Sequence, residues 1–299
     1  MTARTINGLA VSKRLRGDYA LKIKELEKQW GKRPGLAVIL VGDDAASAVY
    51  VRNKERACES VGINSFHHAL PSSITNAELL GLIVELNANP DVHGILVQLP
   101  LPPQIDVRAV LATISAEKDV DGFHLYNVGG LITGSTVFSP CTPFGVMKLL
   151  ESENISVEGQ NVVVVGASNI VGKPMALMLM QQEATVAVCH ARTRDLAQFT
   201  ILADILIVAA GVPNLILPQM VKRGAVVIDV GINRLPDGRI VGDVDFTGVV
   251  EKASFITPVP GGVGPMTVTM LLHNTIQAFE RAQTLRQAPL AFSAFTTQN

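Results

Sequence analysis

Tyr50 and Lys54 stand four residues apart in Ala48-Val49-Tyr50-Val51-Arg52-Asn53-Lys54. On a helix that spacing puts both side chains on one face. A lysine in its neutral form can accept a proton. A lysine on a helix is also commonly just a solvated side chain, and spacing alone leaves both readings open. Gln98 closes an apolar run and precedes Leu99-Pro100-Leu101-Pro102. A polar side chain at the carboxyl end of a buried strand is where open parallel sheets place ligand-binding groups. Asp121 lies in Lys118-Asp119-Val120-Asp121-Gly122. There an acid can serve an Asx turn or a ligand.

A second set of residues has the character of a nucleotide site. The apolar run Val162–Val165 leads into Gly166-Ala167-Ser168-Asn169-Ile170-Val171-Gly172-Lys173-Pro174. Gly166 permits a tight turn where a side chain would meet a phosphate. Gly172 allows close packing of helix on sheet. Pro174 suits a first helical turn, and free N–H groups at that helix start form an anion site. The spacing is not G-x-G-x-x-G, so an ordinary strand-to-helix turn stays open. The next strand ends in Cys189-His190-Ala191-Arg192-Thr193-Arg194. An NAD site would place an acid there for the ribose hydroxyls. The first acid, Asp195, is better placed as a helix cap. Two arginines near the position of a 2′-phosphate favour NADP, with a solvated basic loop as the alternative. His190 reads equally as a satisfied strand-end side chain.

The elements that must position these residues follow from alternating apolar runs and helical patterns. Gly35–Gly42 and Gly94–Leu99 read as buried strands, Ser47–Ser60 and Thr75–Asn89 as helices, the second capped by Thr75 or Asn76. This order specifies an α/β fold with a parallel sheet. The stretch Asp119–Pro143, rich in glycine and proline, reads as a loop and a domain boundary. A helix at Thr142–Glu153 opens a second block, with strands at Asn161–Gly166, Thr185–Cys189, Asp204–Ala209 and Ala225–Val230 and a helix from about Pro174. That alternation is Rossmann-like. A last helix, about Thr267–Arg281, returns to the first domain, and the tail after Arg286 has no periodicity. The expected division is residues 1–140 plus 270–299 for an N-terminal α/β catalytic domain and 141–269 for the nucleotide domain.

Composition narrows the classes. Hydrophobic residues are 48% and charged residues 17% of 299, enough for two buried cores and too apolar for disorder. The net charge of -1 gives no long-range attraction to nucleic acid or an anionic membrane. Cys58, Cys141 and Cys189 form no CxxC pair. They read as small buried hydrophobes in a reducing compartment, with no metal site. No apolar segment follows the first residues and none is long enough to span a bilayer. The expectation is a soluble, cytoplasmic protein.

Taken together, the chemistry-bearing segments carry a resemblance. They are Tyr50-x-x-x-Lys54, Val97-Gln98-Leu99-Pro100, Asp119-Val120-Asp121-Gly122, Pro140-Cys141-Thr142-Pro143, Gly166-x-Ser168-x-x-Val171-Gly172-x-Pro174 and Thr257-Pro258-Val259-Pro260-Gly261-Gly262-Val263-Gly264-Pro265-Met266-Thr267. The chain resembles the bifunctional methylenetetrahydrofolate dehydrogenase/methenyltetrahydrofolate cyclohydrolase family from about Leu9 to Ala282. The resemblance implies two α/β domains with a cleft between them, a homodimer, NADP as cofactor and one-carbon tetrahydrofolates as substrates. It implies that Lys54 is catalytic, that Tyr50 and Gln98 orient it, and that Asp121 holds the pterin. Val97, Leu99, Pro260, Gly261 and Gly262 then line the folate. Gly166, Ala167, Ser168, Ile170, Val171 and Ile232 then contact NADP, while for the 2′-phosphate the residues themselves favour Arg192, ahead of Arg194 and Lys173. In many members Arg directly follows the first glycine of the nucleotide turn. Here that residue is Ala167, so the source of 2′-phosphate recognition must lie elsewhere.

The implied chemistry is hydride transfer from a one-carbon bridge, which requires alignment of two bound molecules, then hydrolysis of the resulting cation. The second step needs a proton acceptor, and a lysine in a low-dielectric cleft can supply a neutral amine. Two rivals share the architecture. A two-domain NADP dehydrogenase for a small acid would not explain Tyr50, Lys54, Gln98 and Asp121 together. A non-catalytic nucleotide-binding regulator would not need Lys54 and Asp121. Formate ligation is disfavoured, since no G-x-x-x-x-G-K-[ST] loop is present.

Overall fold

The structure, a computed structural model, describes residues 2–287. The tail beyond Gln287, where the sequence loses periodicity, falls outside the described residues. The chain forms two compact units. Residues 2–18 join Asp121–Leu271, and Tyr19–Val120 joins residues 272–287. The segment 121–140 therefore falls in the unit of Asp121–Leu271.

In the unit of Tyr19–Val120 a three-stranded parallel sheet runs in the order Asn64–Leu70, Gly35–Val41, Gly94–Val97. The central strand, Gly-Leu-Ala-Val-Ile-Leu-Val, is buried along its whole length. A continuous apolar run of this kind suits a parallel strand covered on both faces. Register pairs Ala37 with Phe66 on one side and with Ile95 on the other. Two helices cross over between the strands. Ala45–Val61 starts at Asp44, whose carboxylate accepts from Ser47 N at 2.7 Å. It ends at Gly62, in the left-handed region at φ 93°. Asn76–Ala88 opens with a capping box of Thr75 and Glu78, which satisfies two helix-start donors at once. Leu79, Ile83 and Leu86 of this helix pack on Ala37, Ile39, Ile95 and Val97.

The other unit carries a six-stranded parallel sheet. Its order is Arg4–Thr5, Phe255–Ile256, Val226–Asp229, Ile205–Val208, Asn161–Val165, Thr185–Cys189. From Asn161–Val165 the chain moves outward to Thr185–Cys189 through the helix Gly172–Gln181. It then returns to the opposite side at Ile205–Val208. The order reverses there, which is the switch point where doubly wound sheets bind ligands.

Two of the elements that differ from the sequence reading are helices. The stretch expected to be loop contains the helix Leu125–Thr133, started by His124, whose Nδ1 accepts from Tyr126 N at 3.1 Å. Its glycines hide it, yet Gly130 is required: a Cβ there would lie 2.6 Å from Thr136 Cα. The last helix begins at Val263 and runs to Gln287, because Pro265 sits in its first turn, where the missing N–H has no partner to lose. Cys58, Cys141 and Cys189 are buried and outside any disulfide. Among the described residues no helix is long and apolar enough to cross a membrane.

Candidate active site

Lys54 lies in the middle of the Ala45–Val61 helix and is half-buried. Gln98 follows the Gly94–Val97 strand and keeps its backbone in register, donating from N to Ile39 O at 2.9 Å. Its side-chain nitrogen donates to Leu99 O at 2.6 Å. That bond turns the amide oxygen the other way, where it accepts from Lys54 Nζ at 2.9 Å. The sheet thus fixes the position of the lysine nitrogen. Tyr50 is 45% exposed, so its ring is open to a ligand. Among the described residues no hydrogen bond joins it to Lys54. Val97 is buried and Leu99 half-buried beside Gln98.

The approach to Asp121 is braced by Val120, which is fully buried. Lys118 O accepts from Ile95 N at 2.8 Å, and Val120 O accepts from Asn274 Nδ2 at 2.8 Å. A Cβ on Gly94 would lie 2.7 Å from Val120, so that glycine makes room for it. Asp121 itself is half-buried. Gly122 follows at φ 79°, and a Cβ there would stand 2.7 Å from Pro140 N.

The segment Thr257–Gly262 reaches the last helix by a tight path. Gly261 has φ 106°, its carbonyl accepts from Leu9 N at 3.1 Å, and Gly262 backs onto Gly8. A Cβ on Gly264 would lie 3.7 Å from Ile232 Cδ1. The segment holding Pro260, Gly261 and Gly262 therefore ends against Ile232, which is 49% exposed.

In the nucleotide turn, Gly166 has φ 123°, and a Cβ there would collide with Ala209 O. A Cβ on Gly172 would collide with Gly166 O. Backbone thus approaches backbone closely, which is why both positions are glycine. One expectation is corrected. The N–H groups of Val171 and Gly172 are not free but donate to Ser168 Oγ at 3.1 and 3.4 Å, and Lys173 N donates to Ser168 O. Ser168 is therefore the cap of the turn, and Ala167, Ser168, Asn169 and Ile170 form its outer rim. Ser168 and Ile170 are exposed.

Beyond Thr185–Cys189 the chain makes a turn closed by His190. Its N–H donates to Thr193 Oγ1 at 2.9 Å, and its Nδ1 accepts from Arg192 N at 3.1 Å. His190 is a turn residue. Asp195 accepts from Ala197 N at 3.1 Å, at the start of the short helix Ala197–Thr200. No acid is left at the strand end for ribose hydroxyls, and Arg192 and Arg194 are both exposed. Burial raises the Cys189 thiol above its usual range, against a hydrogen bond with Thr193.

A buried carboxylate network escaped the sequence reading. Asp229 ends the Val226–Asp229 strand and accepts from Gly231 N, Asp243 N and Val244 N at 2.9, 3.0 and 3.0 Å. Asp243 accepts from Ala210 N and Gly211 N at 2.7 and 2.8 Å and from Asn233 Nδ2 at 2.8 Å. The available signal was an acid closing the apolar run Val-Val-Ile, followed two residues later by glycine.

These features define a dinucleotide-binding α/β protein with a separate unit carrying a held lysine. Residues 6–121 match the family model "Tetrahydrofolate dehydrogenase/cyclohydrolase, catalytic domain", and residues 140–283 match its "NAD(P)-binding domain". The chain belongs to the tetrahydrofolate dehydrogenase/cyclohydrolase family. It is 59% identical over 282 residues to the bifunctional protein FolD of Nitrosospira multiformis, covering 94% of this chain and 98% of that one. The crystal structure of bifunctional FolD from Campylobacter jejuni matches with a TM-score of 0.91 and 53% identity, covering 93% and 99% of the two chains. FolD of Trypanosoma brucei, complexed with NADP cofactor and inhibitor, matches with a TM-score of 0.91 and 40% identity over 95% and 99%.

Proposed function

We propose that both activities of this family run on one bound folate, with Lys54 as the proton acceptor of the hydrolytic step. The enzyme oxidises 5,10-methylenetetrahydrofolate to 5,10-methenyltetrahydrofolate with NADP, then hydrolyses that product to 10-formyltetrahydrofolate. The observation that carries the assignment of Lys54 is its 2.9 Å bond to Gln98 Oε1. NADP, when bound, supplies the hydride acceptor. The residues suited to hold it are Gly166, Ala167, Ser168, Ile170, Val171 and Ile232, with Arg192 on the 2′-phosphate.

Lys54 takes a proton from water as the water oxygen bonds to the methenyl carbon and the C=N π pair moves onto nitrogen; the C–N5 bond then breaks, with N5 taking a proton, to leave 10-formyltetrahydrofolate. Gln98 holds the amine nitrogen in place, so alignment is settled before water attacks. Tyr50, one helical turn away, shares that face. The Asp121 carboxylate accepts from the polar pterin edge, a charge-assisted contact. Val97 and Leu99 flank Gln98 and would line the folate beside it.

The enzyme works as a cytoplasmic homodimer with no nucleic-acid or membrane partner. Thr185–Cys189 is the outer strand of its sheet, with Val188, Phe199 and Leu202 exposed nearby. An unpaired edge beside apolar surface is what a second copy would cover. Cysteines outside any disulfide suit a reducing compartment.

The test is one coupled assay on the purified protein. Absorbance of the methenyl intermediate is followed with NADP and, separately, with NAD, and each reaction is continued through hydrolysis. The expected result is formation with a preference for NADP, then decay at an enzyme-dependent rate. No NADP reduction, or an intermediate that decays only at the uncatalysed rate, would contradict the reading.

A further inference from the structure

We propose that Asp243 is a positioning residue for the dehydrogenase reaction, setting the two loops that close the nicotinamide half of the dinucleotide site. This rests on the reading of the sheet's carboxyl end as the NADP site. In a doubly wound sheet the first two strands serve the adenosine half and the strands beyond the switch point serve the other. Those further strands are Ile205–Val208 and Val226–Asp229.

Both of their exits end on one carboxylate. Ala210 N and Gly211 N, just past the first strand, donate to Asp243 Oδ2 at 2.7 and 2.8 Å. Asn233 Nδ2, past the second, donates to Asp243 Oδ1 at 2.8 Å. Ile232 lies between Gly231 and Asn233 and inherits its position from this tie. Asp243 has no exposed surface, so it touches no ligand and acts through the loops alone.

The backbone of Asp243 is itself clamped. Its N–H donates to Asp229 Oδ1 at 3.0 Å, Val244 N donates to Oδ2 at 3.0 Å, and Asp229 N donates to Thr257 Oγ1 at 2.7 Å. Two glycines make the arrangement possible. A Cβ on Gly231 would collide with the Asp243 carboxylate, and one on Gly242 with that of Asp229. A charged acceptor buried among N–H donors holds geometry more tightly than a solvated one.

A residue that only held the fold would, when altered, damage both activities together. Asp243 should affect them unequally, because hydrolysis of preformed methenyltetrahydrofolate uses Lys54 and Gln98 and needs no cofactor. Asn233→Ala cuts the tie to the Ile232 loop and leaves the buried carboxylates in place. It is expected to raise the KM for NADP about three- to tenfold, the scale of one net hydrogen bond, with hydrolysis kept within about twofold. Asp243→Ala releases both loops, and the dehydrogenase loss should exceed about tenfold. Asp243→Asn should recover most of it. Its amide oxygen can still accept from Ala210 and Gly211, and Asn233 can turn its own oxygen toward the new NH2 group.

Asn233→Ala and Asp243→Asn decide the matter even if Asp243→Ala does not fold. An unchanged KM for NADP in Asn233→Ala, or an equal fall in both activities there, overturns the proposal. A failure of the cofactor reading itself shows separately, as a parent protein that reduces no NADP.

Discussion

At the scale of single residues, Asp229 carries a charge that the fold disfavours. Its carboxyl is pushed up to about 6, first by burial, against three backbone N–H donors that pull it down, with the neighbouring Asp243 charge adding to the rise. The folded value lies above the unfolded one of 3.8. The stability it contributes is therefore complete below about 3.8 and is lost as pH rises through about 6. Between about pH 5 and 7.5 that loss amounts to roughly 1 kcal/mol. Thermal midpoints of the parent and of Asp229→Asn, measured across this range, check it. The parent should gain on the variant as pH falls, and a constant gap would show that Asp229 titrates alike folded and unfolded. Lys54 and Gln98, which the fold joins by a hydrogen bond, could be singled out in the sequence because each sits in a motif. Asp229 and Asp243 were not, because each gains its partners only when separate loops of the fold meet.

At the scale of elements, what could be read tracks how strongly burial writes itself into composition. The strands at residues 35–41, 94–97, 161–165, 205–208 and 226–229 are continuous apolar runs, and they were found close to their true bounds. Asn64–Leu70, an edge strand carrying Ser65, His67 and His68, has no such run and was missed. Arg4–Thr5 and Phe255–Ile256 are two residues each, too short to leave a pattern. The amphipathic helix Gly8–Trp30 was also passed over. The turn after Thr185–Cys189 carries a prediction of its own, since Ala167 offers the 2′-phosphate no charge. Arg192 is exposed and its backbone is held by His190. A guanidinium can grip a phosphate with two parallel hydrogen bonds. Arg192→Ala should weaken NADP by about 1.5–3 kcal/mol, roughly ten- to a hundredfold in KM, and barely alter NAD. Equal effects on both cofactors would make Arg192 a loop residue. No effect on either would pass the role to Arg194 or Lys173.

At the scale of the whole molecule, the two compact units carry different parts of the proposed chemistry. The unit of Tyr19–Val120 supplies the held lysine, and the six-stranded unit supplies the nucleotide turn and the Asp229–Asp243 network. Hydride transfer needs alignment alone, whereas hydrolysis also needs a proton acceptor. One substitution should therefore part the two activities. The most direct test measures Lys54→Met in both assays, NADP reduction with methylenetetrahydrofolate and decay of preformed methenyltetrahydrofolate. Hydrolysis should fall by about two to four powers of ten, the range for a positioned acid–base group, with dehydrogenation reduced far less. Hydrolysis at the parent rate would contradict the assignment of Lys54 as proton acceptor.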